Sequence, residues 1–172
     1  MWQVVTAAGL AVIVQDFLSA VLHIWLDRLG TPSTPVVGRM VAGFRRHHAE
    51  PAAIVGHGAV GNLTDTAWFS LLMALLAFGV PLEHWAARFA AEVLLGVSVF
   101  SLVTQQVHAF AHHPRPPGWV RLLQRCRVMI PPHVHARHHR GTHDSHYAVL
   151  NGWTNSLIDR LRLAEWLAPL RQ

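Results

Sequence analysis

The sequence predicts an all-α membrane protein: about three transmembrane helices, interfacial amphipathic helices, and a histidine-rich metal site on the cytoplasmic side. Three observations predict it. Hydrophobic residues make up 52% of the 172-residue chain and charged residues only 13%, a balance that leans away from a soluble domain. Three apolar runs approach the ~20 residues needed to cross a bilayer. All 14 basic residues are arginine, and nearly all of them fall on one side of those runs, together with the histidines. The length suits one compact unit, so residues 1–172 are read as a single membrane-embedded domain.

The first run is Val4 to Trp25, VVTAAGLAVIVQDFLSAVLHIW. A cleaved leader would carry a basic residue before the apolar stretch; here none precedes it and Asp16 interrupts it. Asp16, His23 and Asp27 recur at i, i+7 and i+11, which is one stripe of a helix. A carboxylate inside a membrane helix is costly and faces a protein interior or polar cavity, so the stripe is read as facing a site. Residues 30–65 read as a polar connection rich in glycine and proline. It carries FRRHHAEP (Phe44 to Pro51), His57 and Asn62. The neighbours His47 and His48 point in different directions on a helix, so at most one need face a given metal. Pro51 ends any helix there.

The second run, Ala67 to Leu82, is short for a span and reaches across only with flanking adjustment; a buried core helix is the competing reading. Pro81 to Arg88 reads as a tight turn. Phe89 to Val107 is the third run, with Glu92 near its start. Thr104, His108 and His112 follow one another at intervals of four, on one face. After a proline-rich break, Trp119 to Met129 reads as an amphipathic helix with Arg121, Arg125 and Arg127 toward headgroups. Asn151-Gly152-Trp153 reads as a turn. Leu157 to Leu167 reads as a final amphipathic helix able to lie in the interface plane.

The densest chemistry lies in Pro131 to His146, PPHVHARHHRGTHDSH, where six of sixteen residues are histidine. The inner HxxHH places His135, His138 and His139 on neighbouring helical positions. Imidazole suits Zn, Cu, Fe and Ni.

If all three runs span, residues 30–65 and everything after the third run share one side. Every arginine but Arg88 then lies there, Arg171 included, and every histidine but His84. By the positive-inside rule that side is cytoplasmic. A nucleic-acid partner is not expected, because such a protein has no reason to interleave its arginines with bilayer-length apolar runs.

The single cysteine, Cys126, excludes a disulfide framework and any cysteine-based zinc or iron–sulfur site. Histidines from four segments converge on one membrane face: His23; His47, His48 and His57; His108 and His112; and the Pro131–His146 group. A single tetrahedral zinc takes three or four ligands, so this set suits two metals. The Glu-x-x-His pairs of a carboxylate-bridged helical bundle are absent, and so is the HExxH of a zinc hydrolase. A bis-histidine haem carrier would leave most of the histidines unexplained. A transporter would want polar groups through several spans, where only Asp16 and Glu92 occur.

These motifs carry a specific resemblance. DFLSAVLHIWLDRLG (Asp16 to Gly30), FRRHHAEP, His57, QQVHAFAH (Gln105 to His112), HARHHRGTH (His135 to His143) and NGWTN (Asn151 to Asn155) stand in the order and at the gaps of the plasmanylethanolamine desaturase family, the CarF-like or Kua lipid desaturases, which the chain resembles from Asp16 to Asn155. The resemblance implies an oxidoreductase with a diiron centre, two Fe, and O2 as co-substrate. It would desaturate a phospholipid chain, foremost the 1-O-alkyl chain of an ether phospholipid to give a plasmalogen; a plant branch acts on an acyl chain of phosphatidylglycerol. Hydroxylation at the same centre is the alternative outcome, and a membrane metal or haem-binding protein the non-enzyme one. Carried over residue by residue, the metal ligands are His23, His48, His57, His108, His112, His135, His138 and His139. His47, His143 and Asp27 are read as ligands or as groups supporting them. Asp16 and Asp27 are expected to orient ligand histidines, and Asn62 to hold a metal-bound water. No flavin or nicotinamide signature is present, so the electrons are expected from an external donor, cytochrome b5-like or ferredoxin-type. Departures are GAVGN after His57, Leu150-Asn151 in place of Thr-Thr, and His146 where an aromatic is usual; they bear on the substrate more than on the centre.

Overall fold

The computed structural model describes residues 2–35 and 37–167; Arg171 and the extreme ends of the 1–172 domain lie outside them. The described residues are helical, without strands. Helix α1 is Trp2–Ile24, and its last turn continues as a wider π-helical turn, Trp25–Leu29. Then follow α2 (Gly38–Ala49), α3 (Ala53–Gly56), α4 (Gly58–Phe78), α5 (Trp85–His112), α6 (Gly118–Arg125), α7 (Pro132–His138), α8 (Asn155–Arg160) and α9 (Leu163–Leu167).

Three segments are long and apolar enough to cross a membrane: Trp2–Leu29, Gly58–Phe78 and Trp85–His112. Helix α5 is the central one, packed against both α1 and α4. Polar pairs set the register. Gln3 donates to Glu92 and Gln15 to Thr104, both 89 residues apart, so α1 and α5 run parallel. Thr66 bonds the Leu102 carbonyl and Ser70 bonds Ser98, so α4 and α5 run antiparallel. A Cβ added at Gly96 would sit 2.5 Å from the Ala11 Cβ. A bare α-carbon therefore lets α1 and α5 approach closely, as small residues do between membrane helices. The outer faces remain apolar: Leu71 and Leu75 are each 60% exposed and Phe78 81%, a belt suited to lipid.

The remaining chain folds over one end of this bundle. The C-terminal end of α1, the N-terminal end of α4 and the C-terminal end of α5 meet there, under α2, α3 and α7. The segment after α7 returns to α1, burying Tyr147 and Ala148 against Ala20, Ile24 and Ile158.

The second span differs most from expectation. It begins at Gly58 rather than Ala67, so part of the supposed polar connection is membrane-length helix. Gly58 takes a positive φ of 75° as the chain turns into α4, a conformation glycine adopts without strain. The polar residues of the first turns are tolerated because they bond within the protein: Asn62 donates to Gln106, and Thr66 to the Leu102 carbonyl. The connection also holds α2 and α3. The third span starts at Trp85, which shortens the preceding turn. The final amphipathic stretch is two short helices, broken at Arg162 with φ 53°. Helix α6 stops at Arg125, and Arg127 takes φ 55° just beyond it.

Candidate metal centre

The histidines gather at the covered end of the bundle in two adjoining groups. The first consists of His47 from α2, His108 and His112 from α5, and His135 and His139 from α7 and its end. The second consists of His23 from α1, Asp27 from the π-helical turn, His48 from α2 and His138 from α7. His143 joins His48 and His139 at the edge, its ring centroid 4.4 Å from that of His48. Adjacent residues on one helix thus serve different groups: His47 turns to the first and His48 to the second.

Helix periodicity explains much of the local arrangement. His108 and His112 lie one turn apart, as do His135 and His139, so each pair presents two rings to one side. Pro131 and Pro132 start α7 where a helix tolerates proline best. Asp27 follows His23 by four residues, and its carboxylate lies 3.3 Å from His23 Nε2; the π-helical turn Trp25–Leu29 falls at this point, and such turns recur at functional sites.

The nitrogen positions test whether a cation fits. His135 Nε2 lies 2.8 Å from His108 Nε2, 2.9 Å from His112 Nε2 and 3.1 Å from His139 Nε2. A ring nitrogen has either one hydrogen or one in-plane lone pair, so His135 Nε2 cannot hydrogen-bond to three other nitrogens. A cation among them would satisfy all four lone pairs. Ligand nitrogens at ~2.0–2.1 Å from a metal stand about 3 Å apart from one another, which matches these separations. In the second group the Asp27 oxygens lie 3.2 Å from His48 Nε2 and 3.4 Å from His138 Nε2. Neither carboxylate oxygen is hydrogen-bonded, although both are buried, and His23 Nε2 and His47 Nε2 are likewise buried without a hydrogen-bond partner. Orphaned buried donors and acceptors call for an explanation, and a cation in each group supplies one. The residues present therefore fit two metal ions.

The far sides of several rings fix their orientation. His23, His47 and His138 donate Nδ1–H to the backbone carbonyls of Tyr147, Phe44 and Ser145. That tautomer leaves Nε2 with a lone pair directed into the groups. Burial holds His47 down to about 2, with the neighbouring rings of His48 and His139 adding to it. His139 is lowered to about 3 by burial and by His112, and His135 lies well below the ordinary imidazole range for the same reasons. These rings stay neutral at physiological pH, as metal ligands must. Phe44 packs edge-on to His23 and His47, its centroid 5.1 and 5.3 Å away, between the groups and the apolar cleft that His23 also borders.

Three expected residues stand elsewhere. His57 is half exposed and pairs with Asp65 at 3.3 Å, outside both groups, at the junction of α3 and α4. Asp16 does not touch a histidine. Its carboxylate accepts from the backbone N–H groups of Asn151, Gly152 and Thr154 and from the Thr154 hydroxyl at 2.7–3.0 Å. It anchors the Asn-Gly-Trp-Thr turn, two helical turns from His23. Asn62 is bonded to Gln106 and belongs to neither group. Sequence reasoning also passed over Tyr147, which is fully buried. Its hydroxyl accepts from Arg28 Nε and donates to the His143 carbonyl at 2.6 Å. Burial pushes that hydroxyl up to about 12, so it remains a donor and holds the His143 loop. A lone tyrosine beside the histidine run was the available signal.

Fold and site together define an integral membrane protein with histidine-rich metal-binding groups at one end of its helical bundle. The family model described as the lipid desaturase domain matches residues 12–170, and the chain belongs to that family. It is 30% identical over 98% of its length to the plasmanylethanolamine desaturase of Myxococcus xanthus, covering 63% of that protein. It is 28% identical to plasmanylethanolamine desaturase 1 of Mus musculus, over 83% of this chain and 55% of that one. It is 32% identical to the chloroplastic fatty acid desaturase 4 of Arabidopsis thaliana, over 90% of this chain and 47% of that one. The chain thus spans roughly half to under two thirds of the length of these relatives. No solved structure matches it.

Proposed function

We propose that the protein is an O2-dependent lipid desaturase with two iron ions, introducing a double bond into a phospholipid chain. The substrate we favour is the 1-O-alkyl chain of an ether phospholipid, giving a vinyl ether. The observation that carries this reading is the meeting of two ligand-rich groups with an apolar cleft inside the membrane-spanning bundle. Imidazole-rich donor sets suit iron, and the cleft, bordered by His23, Leu18, Leu22, Trp68 and Phe69, suits a hydrocarbon chain.

His47, His108, His112, His135 and His139 would hold one ion, and His23, Asp27, His48 and His138 the other, with His143 beside the second. Bound there, iron would supply dioxygen activation for removing one hydrogen from each of two neighbouring methylenes, O2 leaving as two waters once two electrons and two protons are added. The chain's own residues bind, orient and shield. Backbone carbonyls keep the rings in the ligating tautomer. Phe44 and the leucines of the cleft exclude water from a reacting methylene. Two further electrons are required, and the chain carries no flavin or nicotinamide motif, so an external donor of the cytochrome b5-like or ferredoxin type supplies them. The arginine distribution supports a cytoplasmic location for the centre.

Expression in a host lacking plasmalogens, fed alkyl ether lipid, tests the reading by lipid mass spectrometry. The expected result is a product two hydrogens lighter that depends on His135 and Asp27. Unchanged lipid from folded, iron-loaded protein would overturn it. The likeness to the plant fatty acid desaturase favours a second reading, in which an acyl chain replaces the alkyl ether; phosphatidylglycerol fed in parallel distinguishes the two. A product one oxygen heavier would instead indicate hydroxylation.

A further inference from the structure

Two cavities meet beside the centre. One is the apolar cleft between α1 and α4, floored by α5. The other is a wider basin of mixed polar and apolar lining under α2 and α3, with Arg39, Arg46 and His57 in its wall. They share four lining residues, Met40, Phe44, Asp65 and Gln105, which form a neck. His23 of one ligand group borders the cleft, and His47 of the other borders the basin.

At the neck Asp65 is engaged by His57, whereas no described residue engages the Gln105 side chain. Gln105 is only 7% exposed, and its amide makes no hydrogen bond among the described residues although it borders both cavities. The amide therefore opens onto the cavities with its hydrogen-bonding capacity free, a position suited to a ligand with a polar atom at that point. A phospholipid lying across the neck has one there: the oxygen that links the glycerol to the chain. Its phosphate would then reach the arginine-walled basin and its hydrocarbon the cleft.

We infer that Gln105 holds the linkage oxygen of the lipid chain at this neck and thereby sets which carbons are desaturated. The inference rests on the lipid desaturase reading. Gln105 precedes His108 by three residues, so their Cβ atoms lie ~5–6 Å apart on one helix face. An oxygen bonded to Gln105 places the first methylenes of the chain, not the distal ones, next to the ligand groups. Both an ether and an ester oxygen accept from the amide N–H, so the device selects position along the chain rather than linkage type.

The test compares wild type with Gln105→Leu, which keeps volume and removes the amide, and Gln105→Asn, which keeps the amide on a shorter stem. Retention of 1-O-hexadecyl phospholipid by purified protein in nanodiscs is measured by native mass spectrometry, with hexadecane as the ligand lacking the oxygen. Double-bond position in the product is read by ozonolysis. Gln105→Leu is expected to retain the phospholipid about three- to tenfold less, at unchanged hexadecane retention and iron content. Its products should spread over several positions, with Gln105→Asn intermediate. Equal retention and an unshifted double bond in Gln105→Leu would overturn the inference while leaving the desaturase reading intact. Selective loss of phospholipid retention in a protein that desaturates no lipid would uphold the lipid seat and overturn that reading instead. Should Gln105→Leu fail to fold, the Gln105→Asn product positions decide the matter: a shifted or broadened set supports the inference, an unchanged set refutes it.

Discussion

His135 Nε2 faces His108 Nε2 at 2.8 Å, across 27 residues of sequence. Two neutral imidazoles at that distance share at most one hydrogen, and His112 and His139 approach the same atom. The crowding is relieved by a cation. Wild-type protein loaded with ferrous iron is expected to bind about two ions per chain, and His135→Ala about one. Elemental analysis of purified protein checks this. His57→Ala should leave the ratio unchanged, since that ring is paired with Asp65 outside both groups.

The carboxylate of Asp16 gathers four hydrogen bonds from one turn while fully buried. Removing it leaves three backbone donors, two of them buried, without an acceptor. Asp16→Ala is expected to lose about 3–5 kcal/mol of stability, and Asp16→Asn less, because the amide oxygen still accepts. Thermal unfolding in detergent gives the comparison; a drop of less than 1 kcal/mol in Asp16→Ala would refute the anchoring role.

At Gly96 the contact with Ala11 leaves no room for a methyl group. Gly96→Ala is expected to push α1 and α5 apart and cost about 1–3 kcal/mol. Larger residues should cost more. Because α1 carries His23 and Asp27 while α5 carries His108 and His112, metal affinity should fall along with stability, measurable by competition with a chelator.

Acid sensitivity follows from the neutral rings. His47 and His139 sit at about 2 and about 3 in the folded chain, against 6.5 for an ordinary imidazole. Below pH 6.5 the unfolded chain takes up protons that the folded one refuses, so the unfolded state gains. The stability these rings contribute is fully present above pH 6.5 and declines as pH falls toward 3. Chemical denaturation of metal-free protein at pH 7.5, 6 and 5 should show falling midpoints; a flat profile would contradict the burial of these rings.

Cys126 is exposed just after α6 and is the only cysteine of the chain, which makes it a reporter for the side of the membrane. A membrane-impermeant thiol reagent is expected to leave it unlabelled in intact cells and to label it after permeabilisation. Labelling of intact cells would reverse the proposed orientation.

Three membrane-length helices and one shared end were legible in the sequence, because bilayer thickness sets a length that composition alone reveals. The pairs His108–His112 and His135–His139 were legible too, since the helical repeat puts them on one side. The start of α4 was not. Asn62, Asp65 and Thr66 look like loop residues until their partners on other segments are known. Asp16 was expected to orient histidines because the helical stripe joins it to His23, whereas a turn 135 residues away takes its carboxylate.

By itself, then, the sequence determined the solvent each segment prefers and the ligand chemistry the chain can offer, since hydropathy, helical spacing and the donor atoms of imidazole are local properties. Only the tertiary structure decided that His47 and His48 divide between two groups, that His57 stands aside, and that Gln105 is left unpartnered between two cavities. Those outcomes depend on where distant helices cross, and no spacing within one segment encodes the distance to another.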